Sequence, residues 1–316
     1  MPSITINHDV LSKLFQVNSF EIPAGLEMVL VGIRGSVPAD INDHDFKTSH
    51  SLVLRDVDHK NLRCSFVQWY PDRRLLAVFP GSTVPSIQNI LGYLARPRRN
   101  SNCLTPGFYK QFIRGKHRPG NTRNWHDGLR QNGQPLAIRR TYDNPYYDNF
   151  DTIEISTGCD DNMHAAWTLD PDGNYFSSAG CQVIMGIPFC ESTRARQNDN
   201  RGPWRVFKNN VYGLSQNIFP YALFQSSEVA RLIGSAGQTM SVRLKYGSSG
   251  DLVKRVQSAL LSMNLMSGTA DGDFGKNTFE AIKRFQKENF GIGAVDCIVG
   301  PVTSEALGIT MPEMAV

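Results

Sequence analysis

The stretch N-M-H-A-A-W-T-L-D-P-D-G-N-Y-F-S-S-A-G-C-Q-V, residues 162–183, decides how this chain reads. It holds one histidine, His164, then the reversal signal Asp170-Pro171-Asp172-Gly173, then Ser178-Ala179-Gly180-Cys181 running into apolar sequence. Its flanks have strand character. Residues 151–156 alternate polar and apolar side chains, 163–167 can form a second strand, and 181–185 a third. Pro-Asp-Gly-Asn turns the chain between them. A hairpin-like path returns Cys181 to His164, where an imidazole can take a thiol proton and support a nucleophilic sulfur. Ala179 and Gly180 leave room beside the backbone, and the amides at Gly180 and Cys181 are the expected oxyanion donors. Cys181, His164, Ser178 and Gly180 are therefore the expected catalytic group. Ser178 reads equally as a turn hydroxyl, and Asp161 or Asn162 could orient the imidazole.

Upstream of this stretch the sequence is rich in β-structure. Apolar runs at 26–33, 51–57, 64–70 and 75–79 read as strands. An amphipathic helix is expected over 8–16, with Asp9 as cap, and another over 86–95, with Ser86 as cap and Pro97 as stop. Residues 129–142 read as a hairpin about Asn132-Gly133. Helices are expected at 204–214 and 227–233, with a short strand at 221–224 between them. Arginines at 96–99 and 114–118 can form a basic rim, although solvated loop charge is the plainer reading.

The small, polar segment 234–243 reads as a linker that ends a first domain of residues 1–233. Beyond it, helical periodicity returns at 251–263, at 277–286 and, after Gly300-Pro301, through Leu307. Two loops echo one another 25 residues apart: Asp271-Gly272-Asp273-Phe274-Gly275 with Thr278, and Asp296-Cys297-Ile298-Val299-Gly300 with Thr303. Aspartate and glycine suit tight turns of this kind. The fold class is α+β, a β-rich first domain and a small three-helix second one.

Composition narrows the function. With 41% hydrophobic residues and 20% charged, 316 residues are enough for two soluble globular domains. A net charge of +4 suits an anionic polymer without demanding one, and nucleic acid is not expected as a partner. The N-terminus lacks the pattern of a secretion signal, and no apolar run is long enough for a membrane span. Synthesis in the cytoplasm is expected, with no stable membrane insertion. The six cysteines show neither C-x-x-C nor paired-histidine spacing, so neither a disulfide framework nor a metal site is expected, and no cofactor. His117 and His126 are the other titratable candidates; as isolated residues they read as loop histidines.

The segment 244–309 resembles the type 1 peptidoglycan-binding domain, through Leu244, Gly247, Gly250, Val253, Val256-Gln257, Leu260, Asp271-Gly272, Phe274-Gly275, Thr278, Ala281, Phe285-Gln286, Asp296, Val299-Gly300, Thr303 and Leu307. Cys297 stands where a second glycine is usual. His164 followed by Ser178-Ala179-Gly180-Cys181 resembles the active-site motif of the L,D-transpeptidase (YkuD-like) family. That family commonly has arginine two residues after the cysteine and glycine after the histidine; this chain has Val183 and Ala165. Arg139 or Arg140 is the expected substitute for carboxylate recognition, with His117 also assigned to substrate binding.

Together the two resemblances imply peptidoglycan as partner and acyl transfer on a stem peptide or cross-link. Hydrolysis is favoured over transpeptidation, because an enzyme that builds its own cell's wall is exported. A phage endolysin or a secreted antibacterial effector fits, acting at the wall after release or injection. That reading implies secretion or lysis machinery and a cognate immunity protein as further partners. The alternatives are a non-catalytic wall-binding or virion protein, and a metal-dependent amidase.

Overall fold

The computed structural model describes residues 2–96, 101–118, 124–191 and 196–316. In chain order the first half contains β1 (Ser3–Asn7), α1 (His8–Val17), β2 (Val29–Arg34), β3 (Ser36–Pro38), β4 (Ser49–Leu54), β5 (Cys64–Tyr70), β6 (Leu75–Ser82), α2 (Ile87–Leu94), β7 (Asn102–Leu104), β8 (Gly107–His117), β9 (His126–Arg130) and β10 (Leu136–Arg140). The second half contains β11 (Thr152–Ser156), β12 (Met163–Ala165), β13 (Gln182–Ile184), α3 (Pro203–Tyr212), β14 (Ile218–Gln225), α4 (Ser226–Gly234), β15 (Thr239–Ser241), α5 (Asp251–Ser262), α6 (Lys276–Phe290), α7 (Pro301–Ala306) and β16 (Glu313–Ala315). Proline 97, expected to stop α2, and the rim arginines 98 and 99 lie outside the described residues.

Eight strands close a barrel in the order β12-β13-β6-β5-β2-β14-β8-β9. Its central strands are apolar at nearly every position because both faces are buried. Along β2, Leu30 points into the barrel, while Val29, Val31 and Ile33 pack outward against α1 and α4. In β14, Tyr221 and Leu223 point in and Ala222 and Phe224 point out. This strand, expected as a short one, is eight residues long and sits between β2 and β8. Phe15 of α1 meets Trp69, Phe108 and Phe224 edge to face, at centroid distances of 5.3–6.0 Å. α1 is capped by Asn7, whose side chain accepts from the Val10 amide at 2.9 Å; Asp9 lies in the first turn instead.

Two expected connections differ. Asn132 and Gly133 do form a tight turn with positive φ (56° and 69°), but the flanking strands diverge. β9 pairs with β8 and β12, whereas β10 pairs with β7 and β11 in a separate three-stranded sheet. The turn chemistry is local, and the pairing is set by which barrel edge each strand can close. Likewise β12 and β13 are parallel rather than a hairpin, with His164 beside Val183. The loop between them is long enough to carry the chain back along the strand axis, as a parallel crossover requires.

The helical C-terminal segment owes its internal echo to two buried glutamines. Gln257 donates to Asp271 Oδ1, Asp273 O and Thr278 Oγ1, and accepts from the Gly272 amide at 2.8 Å. Gln286 repeats this with Asp296 Oδ1, Ile298 O, Thr303 Oγ1 and the Cys297 amide. Cys297 adopts φ +58°, matching Gly272 at +83°, so the backbone keeps the turn despite the side chain. Gln257→Ala would strand several buried partners and is expected to cost about 3 kcal/mol, read by urea unfolding.

This segment is built onto the barrel side. The Phe108 amide donates to Tyr246 O at 2.9 Å, and the Tyr246 hydroxyl donates to Pro135 O at 2.8 Å. Residues 234–243, expected as a linker, carry β15, which pairs with β16 near the end of the chain. Within the same stretch Val242 is buried.

Candidate active site

His164 and Cys181 come together because β12 and β13 are hydrogen-bonded neighbours. The Gln182 amide donates to Asn162 O at 2.9 Å, so the residue before each strand pair is drawn to the same end of the barrel. Gln182 itself points into the barrel, where its carbonyl accepts from Tyr221 OH at 3.1 Å and its amide donates to Gly180 O at 3.1 Å. The turn that carries Cys181 is thus clamped from the core. Ser178 tightens it further, its hydroxyl donating to Cys181 O at 2.8 Å and accepting from the Gly180 amide at 3.1 Å.

Of the two readings of Ser178, its contacts match the turn hydroxyl, bonded to backbone groups, and the Gly180 amide, expected as an oxyanion donor, donates to Ser178 Oγ. The Cys181 thiol donates toward Asp160 O at 3.7 Å.

A second histidine joins the pair. His117, the last residue of β8, stacks on His164 with centroids 4.0 Å apart. One ring nitrogen from each histidine and Cys181 Sγ all lie within 4.8 Å of one another. His126 stands opposite His117 across β8 and β9, and its ring meets His164 edge-on at 5.2 Å. Gly128 makes the stack possible, since a Cβ there would lie 2.9 Å from Met163 O and 3.4 Å from His164 Cβ.

Hydrogen bonds fix the proton positions. His164 Nδ1 donates to Ala165 O at 2.8 Å, which leaves Nε2 without a proton. Asn162 Oδ1 accepts from the Gln131 amide at 2.9 Å, so its Nδ2 is the group facing His117 Nδ1 at 3.2 Å. His117 Nδ1 therefore accepts, and its Nε2 carries the proton. The two stacked imidazoles are held as opposite tautomers, His164 as an Nε2 acceptor and His117 as an Nε2–H donor. Asn162 orients His117, and the neighbouring carbonyl of Ala165 orients His164.

Burial keeps this group uncharged at rest. Desolvation, reinforced by the neighbouring imidazoles, holds His164 well below the ordinary histidine range, and His117 likewise. Burial lowers His126 to about 4. Burial, then the nearby Asp161 carboxyl, pushes the Cys181 thiol up. Asp161 is itself raised to about 7 by burial. The resting pair is thus thiol and neutral imidazole, and proton transfer accompanies attack rather than preceding it.

Two histidines and a cysteine at this separation also form a metal-donor set that histidine spacing along the sequence did not reveal, because the three residues arrive on different elements. The tautomers fit a metal poorly. His117's bare nitrogen already faces an amide donor, and binding through Nε2 would require that nitrogen to lose its proton.

A pocket of about 390 Å³ opens over Cys181, with Asn102, His117, Arg118, Arg130, Asp161 and Asn162 in its wall. Arg139 and Arg140, the expected carboxylate ligands, are not in that wall. Arg139 donates to Asp148 O, to Asp151 O and, at 3.2 Å, to Val295 O of the C-terminal segment. Arg140 pairs with Glu154 at 2.6 Å. Arg139→Ala is expected to cost about 1–3 kcal/mol in urea unfolding and to leave substrate preference unchanged. Arg114, assigned to the basic rim, instead donates to Leu214 O at 3.1 Å.

Comparison with known proteins bears on the second domain. Residues 249–307 match the family model for a peptidoglycan binding domain. The C-terminal segment is a peptidoglycan-binding domain. The type VI secretion system spike protein VgrG3 of Vibrio cholerae is 42% identical over 120 residues, 34% of this chain and 10% of VgrG3. The chain therefore spans about a tenth of that relative's length. No solved structure matches the chain. Among the described residues, no helix is long and apolar enough to cross a membrane.

Proposed function

We propose that this protein is a cysteine enzyme that cleaves peptidoglycan stem peptides or cross-links through an acyl-enzyme, in the manner of the L,D-transpeptidase family. The observation that carries this reading is the meeting of His164, on β12, with Cys181, the residue before the adjacent β13, with His164 held as the Nε2 acceptor. The peptidoglycan-binding domain packed on the barrel supports the choice of substrate. As Cys181 Sγ attacks the carbonyl, its proton passes to His164 Nε2. The amide C–N bond then breaks, His164 returns the proton to the leaving amine, and a thioester remains on sulfur. Water releases a carboxylic acid; an amine acceptor would form a new cross-link. Hydrolysis is the favoured outcome.

Similarity to a part of VgrG3 supports delivery as an antibacterial effector, with a cognate immunity protein as partner; an endolysin is the other form of the same activity. The test is mass spectrometry of purified muropeptides incubated with the reduced full chain. New masses that mark a broken stem-peptide bond are expected, and an unchanged profile would refute the enzyme and favour a wall-binding protein.

A metal-dependent amidase is the second reading, favoured by the His117–His164–Cys181 grouping. Activity is expected to survive exhaustive treatment with a zinc chelator, since the bare nitrogen of His117 is taken up by the Asn162 amide. Loss on chelation, restored by zinc, would reverse the order of the two readings.

A further inference from the structure

Attack of a thiol on an amide carbonyl places negative charge on the carbonyl oxygen, and that oxygen needs hydrogen-bond donors already held in place. The turn ahead of Cys181 supplies one fewer than the sequence suggests. The Gly180 amide donates to Ser178 Oγ at 3.1 Å, and Ser178 Oγ donates its own proton to Cys181 O at 2.8 Å. The Cys181 amide has no acceptor among the described residues. One backbone amide is left, where an oxyanion hole is ordinarily built from at least two donors.

His117 stands where a second donor is needed. It ends β8, lines the pocket that opens over Cys181, and lies flat against His164. One of its ring nitrogens is within 4.8 Å of Cys181 Sγ. Asn162 settles which nitrogen of His117 carries the proton. Its Oδ1 is held by the Gln131 amide, so Nδ2 faces His117 Nδ1 at 3.2 Å and the proton sits on Nε2. Asn162 is buried, and turning its amide over would break the bond to Gln131. Burial, then the charge of His126, holds His117 well below the ordinary histidine range, so it meets the substrate neutral. A neutral imidazole N–H can polarise a carbonyl without surrendering its proton.

We infer that His117 is a catalytic residue of this site, its Nε2–H donating to the carbonyl oxygen of the attacked bond, with Asn162 as the positioning residue that fixes its tautomer. The inference rests on the acyl-transfer reading above. As the bond from Cys181 Sγ to the carbonyl carbon forms, the carbonyl π pair moves onto oxygen and the thiol proton passes to His164 Nε2. The hydrogen bond from His117 to that oxygen strengthens, and His117 keeps its proton. When the C–N bond breaks, the pair returns to the carbonyl, His164 delivers its proton to the leaving amine, and His117 is as it began. His117 therefore acts on the transition state rather than on substrate recognition, which places its effect in kcat and not in KM.

Two measurements test this. In the full chain carrying isotope-labelled histidine, two-bond proton–nitrogen spectra report which ring nitrogen of each imidazole is protonated. His117 is expected as the Nε2–H form and His164 as the Nδ1–H form, assigned from the peaks that His117→Gln and His164→Gln remove. His117 as the Nδ1–H form overturns the inference whatever the enzyme does. Muropeptide cleavage is then compared among the wild type, His117→Phe, which keeps a ring against His164, and His117→Gln, which keeps an N–H donor. His117→Phe is expected to lower kcat about 10²–10³-fold with KM within about threefold of wild type, and His117→Gln to recover about tenfold of that loss. Wild-type kcat in His117→Phe, a rise in KM alone, or equal losses in both variants overturns the inference and leaves the acyl-transfer reading standing. Absence of cleavage by the wild type removes that reading and the inference with it. Where His117→Phe fails to fold, the tautomer of the wild type decides.

Discussion

Cys181→Ala should abolish muropeptide cleavage, lowering the rate by at least about 10⁴-fold, the scale seen when a covalent nucleophile is removed. No other thiol stands in for it. Cys64 is sealed in the barrel, with its thiol pushed up to about 12 by burial. Cys159 shares the pocket wall but approaches Gln131, and its thiol is likewise raised to about 12 by burial. The replacement removes one sulfur from a side chain that is 7% exposed, so the fold should lose only about 1–2 kcal/mol. A variant with native unfolding behaviour and unchanged cleavage would end the nucleophile assignment. His164→Gln should fall nearly as far, because the Ala165 hydrogen bond leaves Nε2 as the unprotonated nitrogen of the imidazole that stands beside the thiol.

Acid should unfold the protein more steeply than an ordinary globular chain. Three buried imidazoles, His117, His126 and His164, have folded pKa values below the unfolded value of about 6.5. The unfolded chain therefore binds protons that the folded one refuses, and stability is lost as pH falls from about 6.5 towards about 4. Asp161 acts in the opposite sense. Its folded pKa of about 7 lies above the ordinary aspartate value of 3.8, so the folded chain holds a proton there that the unfolded one has released. That contribution grows as pH falls from 7 and offsets one histidine. The histidines outnumber it, so stability is expected to fall by on the order of a few kcal/mol between pH 6.5 and 5. Urea midpoints at pH 7, 6 and 5 measure it. His126→Phe should flatten this fall, and an unchanged midpoint across this range would show that the cluster is not held neutral.

Much of the fold was legible in local pattern. The strands expected at 64–70 and 75–79 and the helices expected at 8–16 and 251–263 follow from apolar periodicity and turn residues, and each overlaps an observed element; the peptidoglycan-binding segment was legible through its family resemblance. Gln257 and Gln286 were visible as repeated letters, but their role as hubs was not, because it depends on buried amides meeting across a turn. The Asn132-Gly133 turn was legible, while the partners of its flanking strands were not. A turn fixes the direction of a few residues; pairing is decided by strands far away in sequence.

For the candidate site, the sequence by itself determined that one histidine and one cysteine lie on flanks of a single loop, with Ser-Ala-Gly leading into the cysteine. It also determined that a peptidoglycan-binding domain follows on the same chain. Only the tertiary structure decided that β12 and β13 run parallel, that His117 and His126 close on His164 from another strand pair, and that Asn162 sets the tautomer of His117. It also moved the charged residues at the pocket from Arg139 and Arg140 to Arg118 and Arg130. The division has a physical cause. Periodicity and turn chemistry act within a few residues and are written in neighbouring letters, whereas barrel closure brings together side chains from strands distant in the chain, and only closure sets which of them share a pocket.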